Sequence, residues 1–176
     1  ICTDATTGAL GFTQQTLPAT SYLAIMEGLC SNSSSTLEVH DRLMHMGGLN
    51  GTLTTAQTAN LDVHANLASN NLTGRIGASD FSDVTWWLEW YTDTGSTAAT
   101  ATVNVTYNDA SSGNLTGISL AATRRASFMV PLNGLIPSAD SGKYIRDVNT
   151  VTLSISTGTA GSFGVTATRY RAALYK

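Results

Sequence analysis

Few residues in this chain have the type and spacing to do chemistry. The three histidines, His40, His45 and His64, have Glu38, Asp41 and Asp62 close by in sequence. His40 and His45 stand five apart, whereas two ligands on one helix face need a separation of three or four, so the group follows no common metal motif. A nucleophile is no better supported. There is no Gly-x-Ser-x-Gly elbow, and neither Cys2 nor Cys30 sits in a catalytic context. Gly142-Lys143 has the look of a phosphate-loop ending, but Tyr144 stands where Ser or Thr is needed and the next glycine upstream is Gly134. Paired carboxylates for glycoside hydrolysis would have to come from only 12 acidic residues. These positions imply no enzyme, no cofactor and no resident metal.

Aromatic and basic residues remain. Val84, Trp86, Leu88 and Trp90 alternate with Thr85, Trp87, Glu89 and Tyr91, the period-2 rhythm of a two-faced strand. The first set suits a core, which puts Trp86 and Trp90 inside. Trp87 and Tyr91 fall on the other face beside Glu89, placed either to stack on sugar rings or to cover an oligomer contact or second layer. Arg124-Arg125 and Arg169-Tyr170-Arg171 are the dense basic spots, suited to a solvated rim or a protein interface. A net charge of −3 argues against a dedicated nucleic-acid binder.

The elements that must position these groups are mostly strands. After Trp90 come the turn residues Thr92 to Thr97, and then Ala101, Val103, Val105 and Tyr107 alternate with polar neighbours, so residues 84–107 read as a hairpin. Residues 151–156 and 163–168 alternate in the same way around Gly158 and Gly161, a second hairpin. Residues 36–46 fit either an extended segment, which the glycines that follow favour, or a short helix with Ser35 and Glu38 as a capping box; 53–61 read as extended, 65–83 as loop, 115–120 and 127–132 as short strands, with Pro131 marking an edge. Near the beginning, residues 1–17 read as an extended arm and 18–29 as a short helix. Pro18 suits its first turn, and Tyr22, Ile25, Met26 and Leu29 recur at helical spacing. Ser31 to Ser35 is a flexible connector by composition.

The expected organisation is an arm over residues 1–35 and a domain over 36–176, an all-β antiparallel sandwich of jelly-roll type. Composition agrees. Of the 176 residues, Ser and Thr make up about a quarter, charged residues only 12%, and 42% are hydrophobic in periodic order, enough for a full core. With such a core no disulfide is needed, so Cys2 and Cys30 are expected as free thiols. No apolar run reaches the roughly 20 residues needed to cross a bilayer. The five Asn-x-Ser/Thr sequons, at Asn32, Asn50, Asn71, Asn104 and Asn114, are incidental in a chain so rich in these residues.

Three segments carry a family resemblance. They are Asp41-Arg42-Leu43-Met44-His45-Met46-Gly47-Gly48-Leu49-Asn50-Gly51-Thr52 leading into Thr54-Thr55-Ala56-Gln57-Thr58; Trp87-Leu88-Glu89-Trp90-Tyr91-Thr92-Asp93-Thr94-Gly95 running into Ala101-Thr102-Val103; and Val151-Thr152-Leu153-Ser154 through Gly158-Thr159-Ala160-Gly161-Ser162-Phe163-Gly164-Val165. Together they resemble recurrent segments of tailed-bacteriophage virion proteins that accompany the capsid. The resemblance implies a capsid decoration, or cement, protein, made in the host cytoplasm and located on the outer surface of the virion. It further implies a major capsid protein as partner, a homo-oligomer with a trimer favoured, and no nucleic-acid or membrane partner. Residues 1–30 do not match these segments. Phe12, Leu17, Tyr22, Ile25 and Met26 in the arm, with Arg124 and Arg125, are the expected contacts with coat or sister subunits. A head-fibre or tail protein, or a secreted sugar-binding module with a Cys2–Cys30 disulfide, are the competing readings.

Overall fold

In a computed structural model of the protein, the described residues are 35–70, 73–75, 77–159 and 161–175, with isolated positions 2, 5, 6, 9, 16, 18, 19 and 31 before them. Eight strands form: β1 (Thr36–Leu49), β2 (Gln57–Asp62), β3 (Val84–Trp90), β4 (Ala99–Tyr107), β5 (Ser112–Leu120), β6 (Met129–Pro131), β7 (Ile145–Leu153) and β8 (Phe163–Tyr175). Their pairing is nested. β4 pairs with β5, β3 with β6, β2 with β7 and β1 with β8, all antiparallel. Such a ribbon, folded once at its middle and then rolled, brings β8 against β3 and β7 against β4. The result is two four-stranded sheets, β1-β8-β3-β6 and β2-β7-β4-β5, which is the strand order of a jelly roll. The all-β sandwich expected from composition and alternation is therefore the observed fold.

Both expected hairpins are corrected. β3 and β4 lie in opposite sheets, as do β7 and β8, so residues 91–98 and 154–162 carry the chain across the sandwich. Period-2 alternation identifies a strand and its buried face but not its partner. The lengths of these connections, well beyond the two to five residues usual in a hairpin, were the available warning. Pro131 does lie in an edge strand, and the 36–46 segment is extended.

The core fills the space between the sheets. Val84, Trp86, Leu88 and Trp90 of β3, with Phe163 and Val165 of neighbouring β8, line one side of the core, and Ala101, Val103, Val105 and Tyr107 of β4, with Val148 and Val151 of neighbouring β7, line the other. Each fully buried large side chain contributes about 1.5–3 kcal/mol by leaving water. The Trp86 indole N–H donates to the Ile145 carbonyl at 2.8 Å, satisfying its polar atom while tying one sheet to the other. Trp90 stacks on Phe163, with ring centroids 5.1 Å apart and planes 11° from parallel.

A short helix, α1 (Val63–Ser69), occupies part of the stretch expected to be loop. Asp62 caps it by accepting from the Ala65 N–H at 2.8 Å, and Val63 and Leu67, four apart, point inward. Seven residues are too few for a helical period to stand out in sequence. Of the expected 18–29 helix, Pro18 and Ala19 are described, where the Ala19 N–H donates to the Thr16 carbonyl; the rest lies outside the described residues.

One end of the sandwich is built from four loops that bond to one another through their main chains. Thr157 N–H donates to Gly51 O, Thr97 N–H to Thr157 O, Thr123 N–H to Gly95 O and Thr94 N–H to Arg124 O. Loops 50–56, 92–98, 121–128 and 154–162 are thus one connected body. Gly95 makes it possible, because a Cβ there would collide with the Thr157 carbonyl. Gly95→Ala is expected to lower stability by about 1–3 kcal/mol through overpacking against backbone. Gly134→Ala, in open space, should stay within about 0.5 kcal/mol of the parent. Urea melts of the two variants check both values.

Candidate functional site

The outer face of the first sheet carries most of the polar and aromatic groups singled out in the sequence. Strand period 2 puts Glu38, His40 and Arg42 of β1 on the face shared with Trp87 and Glu89 of β3 and Thr166 and Thr168 of β8. Glu38 Oε2 lies 3.0 Å from His40 Nε2, and His40 Nδ1 lies 3.1 Å from Thr168 Oγ1. Acid, imidazole and hydroxyl in that order are the parts of a nucleophilic triad. The hydroxyl, however, is committed inside the sheet. Trp87 Nε1 donates to the same oxygen at 2.8 Å, the Thr85 carbonyl lies within 3.3 Å, and Thr168 is only 5% exposed. This arrangement knits β1, β3 and β8 together and leaves the Thr168 oxygen no open side for a substrate.

The same face shows what Trp87 and Tyr91 do. Trp87 is half-buried, and the His40 ring lies edge-on to both Trp87 and Tyr170. Tyr91 covers Gly47 and packs edge-on to His45. Beside them, Arg42 pairs with Glu89, and both bond the Thr166 hydroxyl. The alternation that assigned Trp86 and Trp90 to the core and Trp87 and Tyr91 to the other face is what the structure shows.

Asp41 is the centre of a second network. It pairs with Arg75 and Arg171, while Arg169 pairs with Asp83 at 2.7 Å and donates to the Arg75 carbonyl. Burial alone would raise the Asp41 carboxyl, but the hydrogen bonds and charges of Arg75 and Arg171 prevail and hold it below its ordinary value. Arg75 also donates to the Cys2 carbonyl at 2.7 Å, and Cys2 N–H donates to Leu43 O at 3.1 Å. Residue 2 is thereby fixed to the edge of β1 away from β8. Cys2 is a buried free thiol, 3.3 Å from His45 Nδ1, and Cys30 lies outside the described residues.

Arg124 and Arg125 are exposed on the four-loop end. The Arg124 main chain is held twice by Thr94, and its guanidinium carbon lies 4.4 Å from the Phe128 ring centroid. The other expected contacts, Phe12, Leu17, Tyr22, Ile25 and Met26, lie outside the described residues.

The three histidines are dispersed. His40 bonds Glu38 and Thr168, His45 approaches Cys2 and Tyr91, and His64 on α1 packs edge-on to Phe81. Among the described residues, no three His, Cys, Asp or Glu side chains are grouped to hold a metal ion. Lys143 follows Gly142, whose φ is +87°, in a turn where it pairs with Asp140 and Asp109.

No family model, curated protein or solved structure matches this chain.

Sequence reasoning missed one electrostatic feature. At the end of the sandwich away from the four loops, Asp62 and Asp147 stand opposite each other across β2 and β7. Burial, then the Asp62 charge, push the Asp147 carboxyl above its ordinary value of 3.8, with Arg146 acting against them. Because the folded state binds this proton more tightly than the unfolded chain, Asp147 favours the fold at low pH and opposes it once ionised. Asp147→Asn is expected to raise the melting temperature at pH 7. The gain should vanish as the pH falls below about 4, where the parent carboxyl is protonated in both states. Paired thermal melts at pH 7 and pH 3 measure the difference.

Proposed function

We propose that this protein is a structural component of a tailed-phage virion that binds the outer surface of the head and stabilises the shell. The observation that supports this reading most is where the three resembling segments lie in the fold. Residues 41–58 form β1 and the loop after it, 87–103 form β3, the crossing loop and the start of β4, and 151–165 form the end of β7, a second crossing loop and the start of β8. These pieces, distant in sequence, build one continuous region. Tyr91 N–H donates to Ser162 O at 2.8 Å and Thr157 N–H to Gly51 O at 2.9 Å, Tyr91 lies over Gly47, and Gly164 leaves no room for a Cβ beside the Met46 carbonyl. Composition alone makes Thr- and Gly-rich strands look alike, but it does not bring three of them to one place.

The physical character of the domain suits adhesion. A jelly roll serves many functions, so the fold by itself does not choose among them. What favours a lattice binder is a rigid body with its groups already in position, because little ordering entropy is lost on docking. Repetition over a closed shell then multiplies modest contacts by avidity. Under this reading the partner is the major capsid protein, the protein assembles as a homo-oligomer, favoured as a trimer at coat-subunit junctions, and residues 1–35 supply further contacts.

Co-sedimentation with purified expanded heads of the parent phage tests the proposal. Saturable occupancy at a fixed ratio to coat subunits, with a higher temperature of head rupture, is expected. Absence of binding to heads, or location on the tail, contradicts it.

A further inference from the structure

Among the described basic side chains, Arg42, Arg75, Lys143, Arg146, Arg169 and Arg171 each have a carboxylate within ion-pair distance in the same chain. Arg124 and Arg125 are the two that have none. They are adjacent, exposed, and carried by a region whose four loops are bonded into a single body. Asp93, on a loop bonded to theirs, directs its carboxylate to the Ala126 N–H at 2.8 Å. Thr94 both donates to Arg124 O and accepts from Arg124 N–H, each at 2.8 Å, and Phe128 supports the face of the Arg124 guanidinium.

We infer that the four-loop end is a docking surface for an acidic patch on another protein, read by Arg124 and Arg125. A guanidinium stacked by one face on a ring keeps its N–H edge free for the two oxygens of a carboxylate, and its fixed main chain limits the freedom lost on binding. The same end also exposes apolar groups. Leu53 and Ile155, each about half exposed, sit on two of its other loops, joined by the Thr157–Gly51 hydrogen bond. A loop end that presents two cations together with aliphatic side chains fits a protein surface. A nucleic-acid track would need more phosphate partners than two arginines supply, and the chain carries a net charge of −3. Under the proposed function this end faces the coat, so the inference deepens that reading, but the probe below does not depend on it.

The test titrates the full chain with hexaglutamate peptide and, separately, with a single-stranded oligonucleotide of the same charge, at low salt. The expected result is saturable peptide binding that weakens at least tenfold in R124E/R125E, weakens by a smaller factor in R124K/R125K, where the charge stays but the stacked fork is lost, and is unchanged in R171A. Equal peptide binding by the parent and R124E/R125E, no peptide binding by the parent, or tighter binding of the oligonucleotide overturns the inference. Circular dichroism of each variant confirms that the fold is intact. Peptide binding of the expected kind without attachment to heads would remove the capsid reading and leave this surface standing. Attachment to heads with the peptide result absent would do the reverse.

Discussion

The close approach of the Gly95 backbone to the Thr157 carbonyl is the constraint on which the four-loop end of this molecule depends. It lets loops 92–98 and 154–162 meet closely enough for the Thr97 N–H to reach the Thr157 carbonyl, and the Gly95 carbonyl and Thr157 N–H carry bonds on to loops 121–128 and 50–56. Both connections cross between sheets, so the same contact also holds the two layers in register at that end. Loops usually carry function because they are free to vary. Here their main chains are bonded to one another, and what they present is presented rigidly.

Charge is distributed to match. On the outer face of the first sheet and at the far end of the sandwich, cations are neutralised locally: Arg42 by Glu89, Arg75 and Arg171 by Asp41, Arg169 by Asp83, Lys143 by Asp109 and Asp140. The outer face of the second sheet is uncharged where Asn104, Asn114, Asn149 and Thr106 bond in a ladder across β5, β4 and β7. An ion pair at a partly exposed site contributes little to stability. Its effect here is to leave those faces without an unpaired cation to attract an acidic partner, so the unpaired arginines of the loop end stand alone among the described residues.

The core was legible because alternation has a direct physical cause: successive side chains of a strand point to opposite sides, and the apolar set must go inward. Trp86 and Trp90 followed from that rule, and so did the outward placement of Trp87 and Tyr91. The same rule says nothing about pairing, which is why β3 with β4, and β7 with β8, read as hairpins when each pair spans the sandwich. Glu38 and His40 share a face by spacing alone, but Thr168, which completes their chain of bonds, is 128 residues beyond His40. Arg124 and Arg125 stood out as a dense basic pair. That they are unpaired was not legible, because it depends on where six other cations find their partners across distant strands.

Under the proposed function, adhesion uses the four-loop end and not the aromatic face of the first sheet. Amide hydrogen exchange of the full chain, free and bound to expanded heads, measures this most directly. The account predicts that added protection falls on residues 50–56, 92–98, 121–128 and 154–162. Protection centred on Trp87, His40 and Tyr170, with the loop end unchanged, would contradict it.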